Sequence, residues 1–163
     1  MSNENEQKNS LVRQEKGELI GKQNIVSRSV VKNLIREAME GIKQAYTPYS
    51  NFWVGSALLT SKQKVYTGCN IENAAYGAAN CAERTAFHKA ISEGEKQFAA
   101  IAIVGGKNGM VVDYCPPCGI CRQVMREFVD PSKFLVILAK SEDDYLLFFL
   151  EELLPMGFGP EHL

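Results

Sequence analysis

This 163-residue sequence has few histidines and almost no net charge. It has 18 basic and 19 acidic residues, which give a formal net charge of −1 at pH 7. Without a basic block, the sequence favours neither nucleic acid nor an anionic membrane surface as a partner. The two histidines are His162 and His88, the latter seven residues after Cys81 and so two helical turns away from it, and we expect neither to bind a metal. The chain is long enough, and at 45% hydrophobic residues apolar enough, to form one globular domain with a hydrophobic core.

Long hydrophobic runs are also absent. The longest uninterrupted run covers residues 98–104, far less than the ~20 residues that span a bilayer as a helix. Residues 1–28 are polar and of mixed charge, without the hydrophobic segment of a signal peptide. We therefore expect a flexible N-terminal extension over residues 1–28, a domain over residues 29–163, no membrane partner, and a cytoplasmic location, with the nucleus as the alternative.

The spacing of hydrophobic residues predicts that helices alternate with strands. A helical stripe runs from Ser29, the predicted N-cap, to about Ala45. Two further helices are predicted at 81–92 and 118–128, each beginning at a cysteine. Strands are predicted at 54–59, 65–69, 98–104, 134–138 and 145–149, and a loop at Gly105, Gly106 and Gly109. This alternation favours an α/β sandwich around a mixed sheet.

Three of the five cysteines lie at the starts of two predicted helices. Cys118 and Cys121 are one turn apart, so their thiols share a side of the helix, and Cys81 begins the earlier helix. The positive potential of a helix N-terminus favours thiolates, and thiolate ligands indicate zinc more than iron. Three ligands with an open fourth position are typical of catalytic zinc. From spacing alone, Cys115, or in principle Cys69, could instead complete a closed structural site.

Glu83, two residues after Cys81, is the candidate catalytic carboxylate. It would not easily share the metal from the same face, but it could reach a water at the open position. Zinc lowers the pKa of such a water from ~16 to about 7, and a neighbouring carboxylate can take up its proton. Arg84 lies three residues after Cys81, and Arg122 directly follows Cys121. Both are candidates to stabilise thiolate charge. The alternative is that Glu83 is an ordinary solvated helix residue.

The sequence resembles the small cytidine deaminases that act on free nucleosides. C-x-E followed by P-C-x-x-C is the zinc deaminase signature, with cysteine in place of the first histidine. The resemblance extends over essentially residues 29–163, through YSNFWVGSALL, YTGCNIENAAYGAANCAERTAFHKAI, PCGICRQVMREF and ELLPMGFGPEHL. It implies a three-layer α/β/α sandwich with a mixed five-stranded sheet. It also implies hydrolytic deamination of cytidine and 2′-deoxycytidine in pyrimidine salvage, with one Zn²⁺ per subunit.

Roles for individual residues follow from this resemblance alone. Cys81, Cys118 and Cys121 match the three zinc ligands, and Glu83 matches the proton shuttle. Further positions match residues that contact the nucleoside: Phe52, Asn70, Glu72, Ala74, Tyr76 and Phe158.

The resemblance also implies a homotetramer with shared active sites. In it, Ala74, Tyr76 and Phe158 would lie near the site of a neighbouring subunit. Two positions depart from the family pattern, with Trp53 where proline is common and Ser56 where alanine is usual. The competing functions are deamination of a modified cytosine nucleoside, editing of a polynucleotide, and a catalytically inactive zinc-binding module.

Overall fold

A mixed five-stranded sheet forms the centre of the computed structural model, which describes residues 26–163. Its strands are β1 (Phe52–Thr60), β2 (Val65–Cys69), β3 (Phe98–Lys107), β4 (Leu135–Ala139) and β5 (Tyr145–Phe149). Their order across the sheet is β2-β1-β3-β4-β5. Only the β3–β4 pair is parallel among the described strands, and the other neighbours are antiparallel. The predicted mixed sheet is therefore confirmed.

Helices cover both faces of this sheet. They are α1 (Arg28–Gly41), α2 (Ala82–Ser92), α3 (Gly119–Phe128) and the single turn α4 (Leu150–Leu153). Short 3₁₀ turns occupy Ile42–Gln44, Tyr76–Ala78 and Pro160–His162. Among the helices within residues 26–163, none is both long and hydrophobic enough to cross a membrane.

The central strand β3 explains the layering. Alternate residues of a strand face opposite sides, and here Ala100 and Ala102 pack with α1, whereas Ile101 and Ile103 pack with α2 and α3. A strand buried on both faces reads as a continuous hydrophobic run, as residues 98–104 do. On the α2 side, Phe87 contacts the rings of the partly buried Phe98 and the buried Phe134, which joins the helix to the sheet. The three-layer α/β/α sandwich is confirmed.

The first helix begins earlier than predicted. Its N-cap is Ser27, whose hydroxyl accepts a hydrogen bond from the Val30 amide at 3.3 Å, so the expectation of Ser29 as the cap was wrong. Ser29 instead lies inside the helix, and its hydroxyl contacts that of Ser27. Val26 is already buried in the core. Residues 1–25 lie outside the described residues, so the flexible extension stays a prediction.

The predicted loop at Gly105 and Gly106 was also wrong, because both belong to β3. A Cβ on Gly105 would lie 2.7 Å from the Cys115 sulfur, and one on Gly106 would lie 1.8 Å from the Met110 carbonyl oxygen. Glycines within a strand mark a close approach of another segment. Here they allow residues 110–115 to cross the end of β3 on the way to α3.

The start of α2 rests directly on β1 and β2. A Cβ on Gly68 would lie 2.3 Å from the Ala82 carbonyl oxygen and 2.7 Å from the Ala86 nitrogen. The buried Ser56 hydroxyl donates a hydrogen bond to the same Ala82 carbonyl at 2.9 Å. Strand and helix backbones are therefore in contact where the chain delivers Cys81 and Glu83.

Gly68→Ala should destabilise the protein because its methyl group would push the backbone of α2 off the sheet. We expect the free energy of unfolding to fall by about 3 kcal/mol, at the upper end of overpacking substitutions. The measurement is urea denaturation followed by circular dichroism. Gly77→Ala is the matched control, since nothing lies within 4 Å of the added carbon. Equal stabilities of the two variants would contradict the close packing at Gly68.

Candidate active site

The starts of α2 and α3 meet and bring three thiols together. Cys81 is the N-cap of α2 and Cys118 is the N-cap of α3. The Cys118 sulfur lies 3.9 Å from that of Cys81 and 3.4 Å from that of Cys121. All three sulfurs lie within 4.8 Å of one another. Tetrahedral zinc with Zn–S bonds of ~2.3 Å requires sulfurs about 3.8 Å apart, so the three sulfurs fit zinc.

The other two cysteines are not members of this cluster, although the structure describes all five. Cys69 is the last residue of β2, and its thiol donates a hydrogen bond to the Gln44 carbonyl at 3.2 Å. Cys115 packs against Gly105, where burial raises the pKa of its thiol to about 12. The arrangement is therefore a site with three protein ligands rather than a closed four-cysteine site.

Local electrostatics favour ionisation of Cys81. A hydrogen bond with Cys121 and the guanidinium of Arg84 lower the pKa of the Cys81 thiol to about 5. The Cys118 sulfur accepts a hydrogen bond from the Cys121 amide at the N-terminus of α3. Because only deprotonated thiols bind a metal, a thiol that ionises readily favours metal binding at neutral pH.

Glu83 is buried in the first turn of α2, with 4% of its surface exposed. Burial raises the pKa of its carboxyl to about 7, and the negative charge of Cys81 adds to that effect. This burial excludes the alternative that Glu83 is a solvated helix residue. A carboxyl with a pKa near neutrality can both take up and return a proton at physiological pH.

The two arginines make different contacts. Arg84 donates from Nη2 to the Ala79 carbonyl at 2.9 Å and lies 3.8 Å from the Cys81 sulfur. Arg122 instead donates to two backbone carbonyls, those of Pro117 at 2.8 Å and Leu153 at 2.6 Å. Its hydrogen bonds thus reach the backbone just before Cys118 and not a sulfur.

A pocket of about 340 Å³ has Ala79 in its lining, two residues before Cys81 in the chain, and the Ala79 carbonyl accepts the hydrogen bond from Arg84. The Glu72 carboxylate projects into the pocket and accepts hydrogen bonds through Oε2 from the amides of Tyr49 at 2.9 Å and Ser50 at 3.2 Å. Hydrogen bonds from Ser50 and from these amides lower the pKa of Glu72. The pocket therefore contains a carboxylate that is ionised at neutral pH. It is lined by Tyr49, Ser50, Glu72, Asn73, Tyr76 and Ala79.

Only some of the residues predicted to contact a substrate line this pocket. Glu72 and Tyr76 do so. The Asn70 amide instead supports β1, since it accepts from the Val54 amide and donates to the Phe52 carbonyl, both at 2.8 Å. The side chain of Phe52 is 42% exposed and lies against Gly105.

The two remaining residues lie on the surface. Ala74 is exposed in the loop before the Tyr76–Ala78 turn. Phe158 is 57% exposed and stacks on the ring of His162. Neither lines the pocket of its own chain.

Tyr49 and Ser50 were not identified as residues of the site from the sequence alone. Their backbone amides bind Glu72, 23 and 22 positions later in the chain. The signal available was TPYSN, a turn-forming stretch directly before β1. That stretch does not say which distant side chain the turn binds.

Comparison with known proteins identifies the family. Residues 28–137 match the family described as "Cytidine and deoxycytidylate deaminase zinc-binding region". The chain belongs to this family. It is 47% identical over 133 residues to a cytidine deaminase from Sporosarcina psychrophila, an alignment that covers 82% of this chain and 94% of the relative. Among solved structures, a cytidine deaminase from Burkholderia pseudomallei matches with a TM-score of 0.70 and 45% identity, over 77% of this chain and 97% of that one.

Zinc is the cofactor of this family region. The thiol cluster fits zinc in number and spacing, and its member Cys81 ionises readily. The one set of three ligands found within residues 26–163 corresponds to one Zn²⁺ per subunit. The ligands would be Cys81, Cys118 and Cys121.

Cys118→Ala should abolish zinc binding, since two thiols remain at a site that needs three protein ligands. We expect wild-type protein to contain about one zinc per chain by elemental analysis after dialysis, and the variant to contain almost none. Cys69→Ala, which removes a thiol outside the cluster, should retain wild-type zinc. Full zinc content in Cys118→Ala would contradict the assignment.

Proposed function

We propose that the protein catalyses the zinc-dependent hydrolytic deamination of cytidine and 2′-deoxycytidine to uridine and 2′-deoxyuridine, with release of ammonia. The observation that carries the proposal is the buried carboxyl of Glu83 beside three thiols at two helix N-termini. Relatives that share 94% and 95% of their length with this chain are named cytidine deaminase, which supports the same reaction.

Glu83 is proposed to move the protons of this reaction. Bound zinc supplies a Lewis acid that makes water a nucleophile at neutral pH. The Glu83 carboxylate takes a proton from that water and gives a proton to N3 of the cytosine ring. After the water oxygen has added to C4, the same carboxylate would take the remaining proton of that hydroxyl and give it to the exocyclic amino group. The C4–N bond then breaks, ammonia leaves, and the C4 carbonyl of uridine forms. The pKa of about 7 suits a group that must accept and donate in one cycle.

The pocket supports a free nucleoside as substrate. Glu72 uses Oε2 for the two backbone amides, so Oε1 is placed to accept a hydrogen bond from a ribose hydroxyl. The same carboxylate would repel a phosphate, which disfavours nucleotides and polynucleotides. Tyr49 and Tyr76, with ring centroids 6.3 Å apart, add aromatic surface to the pocket.

We further propose a homotetramer in which neighbouring subunits share active sites. Large hydrophobic side chains are exposed around the pocket and the C-terminus, including Tyr76 at 78% and Phe158 at 57%. Apolar surface of this kind is typical of interaction sites, and Ala74 lies in the same exposed loop as Tyr76. A cytoplasmic location and a role in pyrimidine salvage complete the proposal.

The decisive experiment is turnover of cytidine by purified protein, followed by ultraviolet absorbance. We expect cytidine to disappear with equal amounts of uridine and ammonia formed, and the activity to be lost on dialysis against a strong chelator and restored by zinc. Glu83→Gln should keep wild-type zinc and lower kcat by ~10⁴-fold, at the upper end for acid–base groups, because one group makes several transfers.

Two results would refute parts of this proposal. Wild-type-like turnover in Glu83→Gln would exclude the proton-transfer role. A zinc-loaded wild-type protein that leaves cytidine and 2′-deoxycytidine unchanged would favour a modified nucleoside as substrate, or an inactive zinc-binding module.

Shared sites can be tested by combining two differently impaired subunits. Phe158→Ala should impair closure of a neighbour's pocket, and Glu83→Gln should block chemistry. Co-expressed in one oligomer, they should recover activity, because a Phe158→Ala subunit with intact Glu83 can receive Phe158 from its neighbour. The measurement is cytidine turnover of doubly tagged hybrids. Hybrids no more active than the sum of the separate variants would contradict shared sites.

A further inference from the structure

Helix α3 holds the C-terminal segment of its own chain, as well as carrying two thiols of the cluster. Arg122 donates from Nη1 to the Leu153 carbonyl at 2.6 Å. The next residue, Gln123, donates from Nε2 to the Phe158 carbonyl at 3.0 Å. The helix therefore attaches the segment after β5 at two successive points.

Arg126 makes a third attachment, one turn further along α3. Its guanidinium forms an ion pair with Glu161. The Arg126 side chain is 12% exposed, against 52% for Glu161, so the ion pair is covered mainly on the α3 side. A Cβ on Gly159 would lie 2.5 Å from Arg126 Cζ. The missing side chain at Gly159 thus leaves the space that the guanidinium fills.

Within the segment itself, residues 158–163 form a defined turn. The Gly159 amide donates to Nδ1 of His162 at 3.0 Å, and the His162 amide donates to the Gly159 carbonyl at 3.0 Å. The His162 ring stacks on Phe158 with centroids 5.0 Å apart and planes 19° apart. The turn therefore presents the exposed ring of Phe158 in one orientation.

We propose that Gln123 and Arg126 are positioning residues that hold Phe158 where it closes the nucleoside pocket of a neighbouring subunit. This inference rests on the proposed function and deepens it. Neither side chain belongs to the thiol cluster or to the lining of the pocket. Loss of their attachments frees the segment and weakens nucleoside binding, while Glu83 and the metal centre stay intact.

A double-mutant cycle on cytidine kinetics tests this role. Arg126→Ala should raise KM by roughly two- to fivefold, as expected for a partly exposed ion pair, and leave kcat within about twofold. Phe158→Ala defines the full effect of losing the ring. Because Arg126 acts through Phe158, Arg126→Ala should raise KM no further in the Phe158→Ala background. Fully additive effects on KM would overturn the proposal.

Two controls separate positioning from general destabilisation. Arg36 lies on α1, on the face of the sheet opposite to α3, and forms an exposed ion pair with Glu142. Arg36→Ala removes that ion pair and should leave KM unchanged. Exchanging the charges, with Arg126→Glu and Glu161→Arg in one chain, should give a lower KM than Arg126→Glu alone. A KM that rises equally in Arg36→Ala, or no recovery on exchange, would contradict the role of the Arg126–Glu161 pair.

Hydrogen exchange gives a readout that does not depend on activity. Millisecond exchange with mass spectrometry should show faster exchange of the amides at 157–163 in Arg126→Ala than in wild type, with unchanged exchange in α2 and β3. Unchanged exchange at 157–163 would by itself refute the positioning role. Altered exchange together with a wild-type protein inactive on cytidine would instead refute the proposed function and confine the role of Arg126 to holding the segment.

Discussion

The close approach of two helix N-termini is the constraint on which the site depends. Cys81 and Cys118 each cap a helix, so the free amides and positive potential of both helices converge on the same few ångströms. This convergence requires α2 and α3 to sit at fixed depths on one face of the sheet. Gly68 sets the depth of α2 by removing a side chain from the contact, and α3 is anchored by the buried Met125. The packing of α2 and α3 on the sheet thus determines the distances between the three sulfurs of the cluster.

Charge balance explains the composition of the cluster. Three adjacent thiolates repel one another, so they ionise together only when a cation binds. Arg84 contributes a fixed positive charge beside Cys81, and the helix termini contribute partial charges. Glu83 lies in the same region but is buried, which favours its protonated form. Cys81 and Glu83 therefore have opposite electrostatic settings within three residues of the chain.

The sequence predicted features that depend on local pattern. The hydrophobic run of β3, the bounds of β2 and β5, and the start of α2 and α3 at cysteines were predicted from hydrophobic pattern and capping, which neighbouring residues determine. The thiol cluster and Glu83 were predicted because ligand spacing reflects helix geometry. Features set by contacts between distant segments were not found in this way. Gly105 was assigned to a loop because its partner, Cys115, is remote in sequence, and Tyr49 was missed because its amide binds Glu72 across 23 positions.

Helix α3 links the chemistry to the surface of the molecule. Its N-terminal turn carries Cys118 and Cys121, and its later turns bind the segment that carries Phe158. A single rigid element of 10 residues thus relates the metal centre to the exposed ring. In an oligomer, a displaced α3 would change both the subunit's own ligands and the ring it offers to a neighbour. In the proposed tetramer, stability of α3 on the sheet would therefore be a shared requirement of two active sites, which a separate, flexible tail would not impose.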